Sequence, residues 1–268
     1  MPSVPFTPAL KSEYESLFNL CVIRPASAAI VEAIIKKILE NKNRYQKAAD
    51  SLDIPWFFIA VIHNMESSLD FNKHLHNGDP LTQRTFHVPA GRPANGTPPF
   101  TWEVSAIDAL SMRKLGAATD WSLAGVLYQL EAYNGWGYRL KHPEVKSPYL
   151  WSFSNHYSSG KYIADGTWSD TAVSKQCGAA VLLRRMVELG YIEFIDQPAP
   201  AHNSKPLVVS YSNTKSKVPK EVSLAGELQR WLNTFPGIFV KVDGIPGKRT
   251  SEAYKKVTGK YLPGDPRG

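Results

Sequence analysis

Residues 54–69 read IPWFFIAVIHNMESSL, a nearly unbroken apolar run that ends on a carboxylate, Glu66. Apolar residues on every side of a helix mark it as buried rather than amphipathic. The apolar stretch 54–62 holds nine residues, too few to cross a bilayer, so the segment reads as a core helix. Pro55 suits its first turn and Asp53 reads as its N-cap. A carboxyl leaving such a helix is partly desolvated. Desolvation favours the neutral form, so Glu66 can hold a proton near neutral pH, as a general acid must. The residues alone leave a plainer role open, in which Glu66 caps or pairs with a nearby basic group.

Thirteen residues after Glu66 comes Asp79, within Asn77-Gly78-Asp79-Pro80. A second carboxylate across a cleft can activate water or stabilise positive charge on a sugar. Asp before Pro is equally a common turn starter. Thr82 and Thr85 offer hydroxyls that could position water, or serve as ordinary hairpin residues. His63, His74, His76 and His87 raise a metal question. No HExxH pattern or cysteine cluster accompanies them, so no metal and no cofactor are expected. His76 reads instead as a substrate contact or a structural hydrogen bond. Residues 77–100 contain five Pro and three Gly and form a long ordered loop or short hairpin. Long loops inside compact domains are often functional.

Helical spacing continues elsewhere. In 25–42, Ala26, Ile30, Ala33, Ile34 and Ile38 form a stripe that Val31 and Ile35 widen. Residues 102–115 and 121–134 read as helices, and 170–190 as another that Gly190 stops. The second of these runs into LEAYNGWGY at 130–138. Asn134-Gly135 ends a helix readily, but that does not account for the flanking Tyr133 and Tyr138. Residues 141–170 are turn-rich and aromatic, with Tyr149, Trp151, Phe153, Tyr157, Tyr162 and Trp168.

The 268 residues carry 43% apolar side chains, enough for one sizeable domain and a small one. Aromatics reach 11%, which suits a cleft where flat rings stack on sugar faces. The net charge is +7 and all of it lies in 203–268, which holds twelve Lys and Arg against five Asp and Glu. Residues 1–202 hold nineteen of each. A basic tail implies an anionic partner. Cys21 and Cys177 are too isolated for a disulfide framework and read as buried thiols. The start, MPSVPFTPALKSEYESLF, has no secretory pattern, so synthesis in the cytoplasm is expected. Residues 196–218 read as a linker rich in Pro, Ser and Lys. Beyond it, 221–235 reads as a helix, 240–249 as a turn and 250–258 as a second helix.

Glu66-Ser67-Ser68 at a helix end, followed by Ala132-Tyr133-Asn134-Gly135-Trp136-Gly137, resembles the lysozyme-like superfamily, in particular lytic transglycosylases and goose-type lysozymes. The resemblance implies that Glu66 is the catalytic acid and that Tyr133 and Asn134 line the glycan cleft. It implies that Asp79 is the acidic partner, and the stretch 147–165, with Tyr157 and Tyr162, looks like a distal wall of the same cleft; Ser67, His76 and Thr85 are further candidates for substrate contact. The Gly-Leu-x-Gln motif common in transglycosylases is missing. A second resemblance, to a three-helix peptidoglycan-binding module, rests on Leu228-Gln229-Arg230-Trp231-Leu232-Asn233, Val242-Asp243-Gly244 and Thr250. It implies wall binding by Gln229, Asp243 and Gly244. Thr250 there reads as the cap of the following helix.

The expected architecture is therefore mainly α: a lysozyme-like catalytic domain over 1–195, a linker over 196–218, and a small three-helix peptidoglycan-binding-like domain over 219–268. The expected reaction is cleavage of the β-1,4 bond between N-acetylmuramic acid and N-acetylglucosamine in peptidoglycan, by a monomer. The alternatives are a chitinase- or chitosanase-type glycosidase and a non-catalytic wall-binding protein. Neither nucleic acid nor membrane is expected as a partner. Action on the wall would follow release through a separate pore.

Overall fold

The computed structural model describes residues 4–194, 209–235 and 237–268. The protein is mainly helical. Its elements are α1 (Pro8–Asn19), α2 (Ala28–Glu40), α3 (Lys42–Leu52), α4 (Trp56–Ser67), α5 (Trp102–Ser111), α6 (Leu123–Asn134), α7 (Gly137–Lys141) and α8 (Pro148–Trp151). A short hairpin of β1 (Lys161–Ala164) and β2 (Thr167–Ser169) follows, then α9 (Ala179–Leu189), α10 (Pro219–Leu232) and α11 (Lys248–Thr258). The hairpin is antiparallel, with Tyr162 opposite Trp168 and an irregularity before Ala164. Among the described residues no helix is long and apolar enough to cross a membrane.

The chain divides into two compact units, residues 1–11 with 22–183, and residues 12–21 with 184–268. In the first, α4 is the central rod. Its residues from Phe57 to Met65 are all buried, as a helix apolar all round must be. α3 packs against α4 and α5. Tyr45 of α3, His63 of α4, Trp102 of α5 and Phe71 form one aromatic block, with His63 and Trp102 centroids 4.5 Å apart. The Tyr45 hydroxyl bonds His63 Nδ1 at 3.0 Å, and burial lowers the His63 pKa to about 4, so this imidazole is neutral. Thr101 and Ser122 cap α5 and α6 by accepting from Val104 and Gly125.

Several elements differ from expectation. Asp53 does not cap α4. It ends α3 in the left-handed region (φ 55°), and Pro55 occupies the N-cap of α4. α3 buries only Tyr45, Ala48 and Ala49, a seam too narrow for periodicity to flag, whereas α1 buries Leu10, Tyr14 and Phe18 at helical spacing. In α2 the buried residues are Val31, Ile35 and Ile38, while Ile30 and Ala33 are open and Ile34 is half-buried. The last helix of 170–190 begins only at Ala179, though Gly190 (φ 76°) stops it as expected. Cys21 and Cys177 are both buried.

In the second unit, Leu228, Leu232, Ile238, Val240, Ala253, Tyr254, Val257 and Leu262 form the core, with Val209 and Tyr211 packed against it. Residues 196–208 of the expected linker lie outside the described residues. Its C-terminal part is not a free tether, because Tyr211 N–H donates to Pro263 O at 2.8 Å. From 209 onward the described residues hold two α-helices rather than three. Thr250 does not cap α11. Gly247 does, and Thr250 lies one turn inside.

Candidate active site

The end of α4 is shaped by an unusual stop. Ser68 (φ 54°) and Leu69 (φ 60°) are consecutive non-glycine residues in the left-handed region. Such strain persists only where surroundings hold it, and it concentrates at functional sites. Here the Ser68 and Leu69 N–H groups return to Asn64 O (3.2 Å) and His63 O (3.3 Å). The Gln176 side chain closes the end from outside by donating to Met65 O at 2.7 Å. Glu66 thus projects from a helix end whose His63, Asn64 and Met65 carbonyls are all engaged.

Its carboxylate accepts one hydrogen bond, from the Tyr149 hydroxyl at 2.9 Å. Surrounding protein raises the Glu66 pKa, while Tyr149 and the Arg113 charge oppose the rise. Tyr133 completes the cluster: burial and the Glu66 charge raise its phenol well above the ordinary range. The Arg113 guanidinium lies over the Tyr133 ring, 4.3 Å from its centroid. Glu66 therefore has neighbours that tune its proton, yet it remains open to solvent on one side. That side is a cleft of about 820 Å³ walled by Ser67, Asp70, Asn72, Lys37 and Asn77 among others.

Asp79 has the opposite environment. It is 3% exposed and is not part of that cleft wall. It accepts from Phe86 N (2.8 Å), His87 N (3.0 Å) and His87 Nδ1 (2.6 Å). Burial pushes its pKa up, but the His87 and Phe86 hydrogen bonds outweigh this and hold it at about 2. Asp79, expected as Glu66's partner, is thus held ionised near neutral pH by donors of the 77–100 loop. The acidic residue that does share the cleft is Asp70. Hydrogen bonds from Asn72 hold its pKa below the usual range, and Lys73 lies 3.6 Å away.

The chain matches no protein-family model, no curated protein and no solved structure.

The remaining expected site residues divide clearly. Ser67 lines the cleft and donates to His63 O. His76 and Thr85 make hydrogen bonds within the protein. His76 is buried against Asp108 (2.8 Å), which also takes both arms of Arg92, and Thr85 donates to Pro89 O (2.5 Å) and accepts from Arg92 N. Asn134 is exposed at the end of α6. Tyr157 is a buried pin whose hydroxyl accepts from Ser174 N and donates to Gly160 O. Tyr162 sits in an aromatic group with Tyr138, His142 and Trp168, where His142 and Trp168 stack at 3.5 Å. Among the described residues no group of three or more His, Cys, Asp or Glu is placed to hold a metal ion.

In the second unit the three expected wall-binding residues form a closed turn. Gln229 is 1% exposed. Its Nε2 donates to Asp243 Oδ1 (2.9 Å), Ile245 O (3.0 Å) and Thr250 Oγ1 (3.2 Å), and its Oε1 accepts from Asp243 N and Gly244 N (both 2.9 Å). Gly244 has φ 73°, and a Cβ there would meet Val222 Cγ1 at 2.6 Å, so only glycine fits. Gly244 thus shapes the turn, and the Gln229 side chain is buried within it.

Proposed function

We propose that the protein is a glycosidase acting on peptidoglycan, with Glu66 as general acid. The observation that carries this reading is the Glu66 environment: a single carboxyl with a raised pKa, one phenolic hydrogen bond and an open cleft beside it. Glu66 donates its proton to the bridging oxygen, and the bond from that oxygen to the anomeric carbon breaks. The oxygen leaves as a sugar hydroxyl. Positive charge builds on the muramic ring, and the Asp70 carboxylate in the same cleft stabilises it. Capture by water gives a reducing end; capture by the muramic 6-hydroxyl gives an anhydro end. Asp79, fixed by three hydrogen bonds, takes no part in either step.

The second unit supports the choice of wall over soluble glycan. Its excess of Lys and Arg attracts anionic wall polymers, and holding an enzyme beside an insoluble substrate raises its effective concentration.

Mass spectrometry of fragments released from purified peptidoglycan tests the reading. Wild type releases disaccharide-peptides, and Glu66→Gln lowers the rate by about a thousandfold. Equal release by both proteins would overturn the choice of acid. Anhydro ends would identify intramolecular capture, and reducing ends capture by water.

A further inference from the structure

A helix needs one apolar face to join a core, and α2 has two. Val31, Ile35 and Ile38 satisfy the core. Ile30, Ala33, Ile34 and Lys37, at spacings of three, four and seven, form a second stripe beside it. Ile30 is 51% exposed. This stripe walls a groove of about 580 Å³ whose other side includes Phe153 and Lys175. The groove and the Glu66 cleft share Lys37, Ser68 and Leu69, so the left-handed turn after Glu66 is the sill between them. Lys36 pairs with Glu40, whereas neither Lys37 nor Lys175 has an ion-pair partner among the described residues. An apolar trough with an unpaired cation at the sill and another on its wall fits a short anionic peptide with small apolar side chains.

Resting on the glycosidase reading above, we propose that this groove binds the peptide stem carried by the muramic residue of the substrate. Its alanine methyls lie on Ile30, Ile34 and Phe153, and its carboxylates meet Lys37 and Lys175. The groove then makes the enzyme specific for stem-bearing glycan over bare amino-sugar polymers.

Two measurements test this. The first compares kcat/KM on uncrosslinked strands that keep their stems and on strands stripped of them by an amidase. Wild type prefers the stem-bearing strands by about tenfold, the value of one good charged contact. The double variant Ile34→Asn/Lys175→Glu brings the ratio close to one and leaves the rate on stripped strands unchanged. Ile30→Thr, at a half-exposed position, lowers the ratio in the same direction if the double variant fails to fold. The second measurement is titration of the wild type with soluble muramoyl-tetrapeptide. Binding that the groove variants abolish supports the groove even if no strand is cleaved, in which case only the glycosidase reading falls. Cleavage of both strands at equal rates, or no binding of the muramoyl-tetrapeptide, overturns the groove and leaves Glu66 untouched.

Discussion

Glu66 and Asp79 lie thirteen residues apart and come from one stretch of chain, yet their surroundings drive their protons in opposite directions. Glu66 receives one hydrogen bond and its pKa rises; Asp79 receives three and its pKa falls to about 2. Burial disfavours the charge of both. What separates them is the number of N–H donors aimed at the carboxylate. A saturated carboxylate is architecture, because its proton cannot return near neutral pH. An under-satisfied one at the edge of a cleft can exchange a proton with a substrate.

The sharpest way to break this comparison is to neutralise each group in turn. Glu66→Gln removes activity by about a thousandfold and does not destabilise the fold. Its raised pKa means that ionised Glu66 costs stability as pH rises through the folded value. The variant should therefore melt above wild type only at pH values where wild-type Glu66 is ionised, and the gain disappears at low pH where wild-type Glu66 is already neutral. A lower melting temperature for the variant at pH 7 would show that Glu66 is a structural ion.

Gln229→Ala is the next largest effect, and it extends the contrast to the second unit. Five hydrogen bonds converge on this buried amide, and truncation strands Asp243 and Gly244 N–H groups. A loss of about 3 kcal/mol in unfolding free energy is expected. Sedimentation with wall sacculi should fall in step with the folded fraction, while Asp243→Asn keeps the backbone turn and loses less. Sacculus binding that vanishes in a fully folded Gln229→Ala protein would mean that the amide itself touches the wall.

Asp79→Asn comes third, at about 2 kcal/mol, because an amide oxygen can keep the Phe86 and His87 N–H bonds while its NH2 group then faces His87 Nδ1. Its pH dependence has the opposite sign to that of Glu66. The folded pKa lies below the unfolded value of about 3.9, so the stabilisation is complete above that pH and is lost as pH falls toward 2. Stability followed by circular dichroism should therefore fall more steeply in wild type than in the variant between about pH 4 and pH 2, and the variant's curve should flatten in that window. Activity per folded molecule should stay near wild type. A variant that is stable but inactive would restore Asp79 as the partner base.

The legible part of this contrast is local. The apolar run before Glu66 lies in one window, so a buried helix ending on an acid follows from the residues themselves. The partners do not. Tyr149 is 83 residues away from Glu66, and Arg113 reaches it from just beyond α5. Asp79 stood in a turn sequence, but the donors that disarm it, Phe86 and His87, lie in a loop whose path no periodicity encodes. α2 shows the converse failure. Its spacing predicts a single stripe, whereas the fold uses one face for the core and leaves the other open. Hydrophobic spacing gives the helix and not the side on which its neighbours sit.

The smallest and most informative change is Tyr149→Phe. The phenol stabilises ionised Glu66, so its loss raises the Glu66 pKa further, and the ring still fills the same space. A general acid works while protonated, and its loss of activity at high pH reports its pKa in the free enzyme through kcat/KM. The alkaline limb of that profile should therefore move to higher pH in the variant. The rate at the optimum should fall by no more than about tenfold, the worth of one hydrogen bond to a charged group. An alkaline limb that moves to lower pH would mean that the dominant titrating group is not Glu66. An unchanged limb with a normal rate would mean that Tyr149 leaves the carboxylate when substrate binds, and Tyr133 and Arg113 would then be the groups that set its proton.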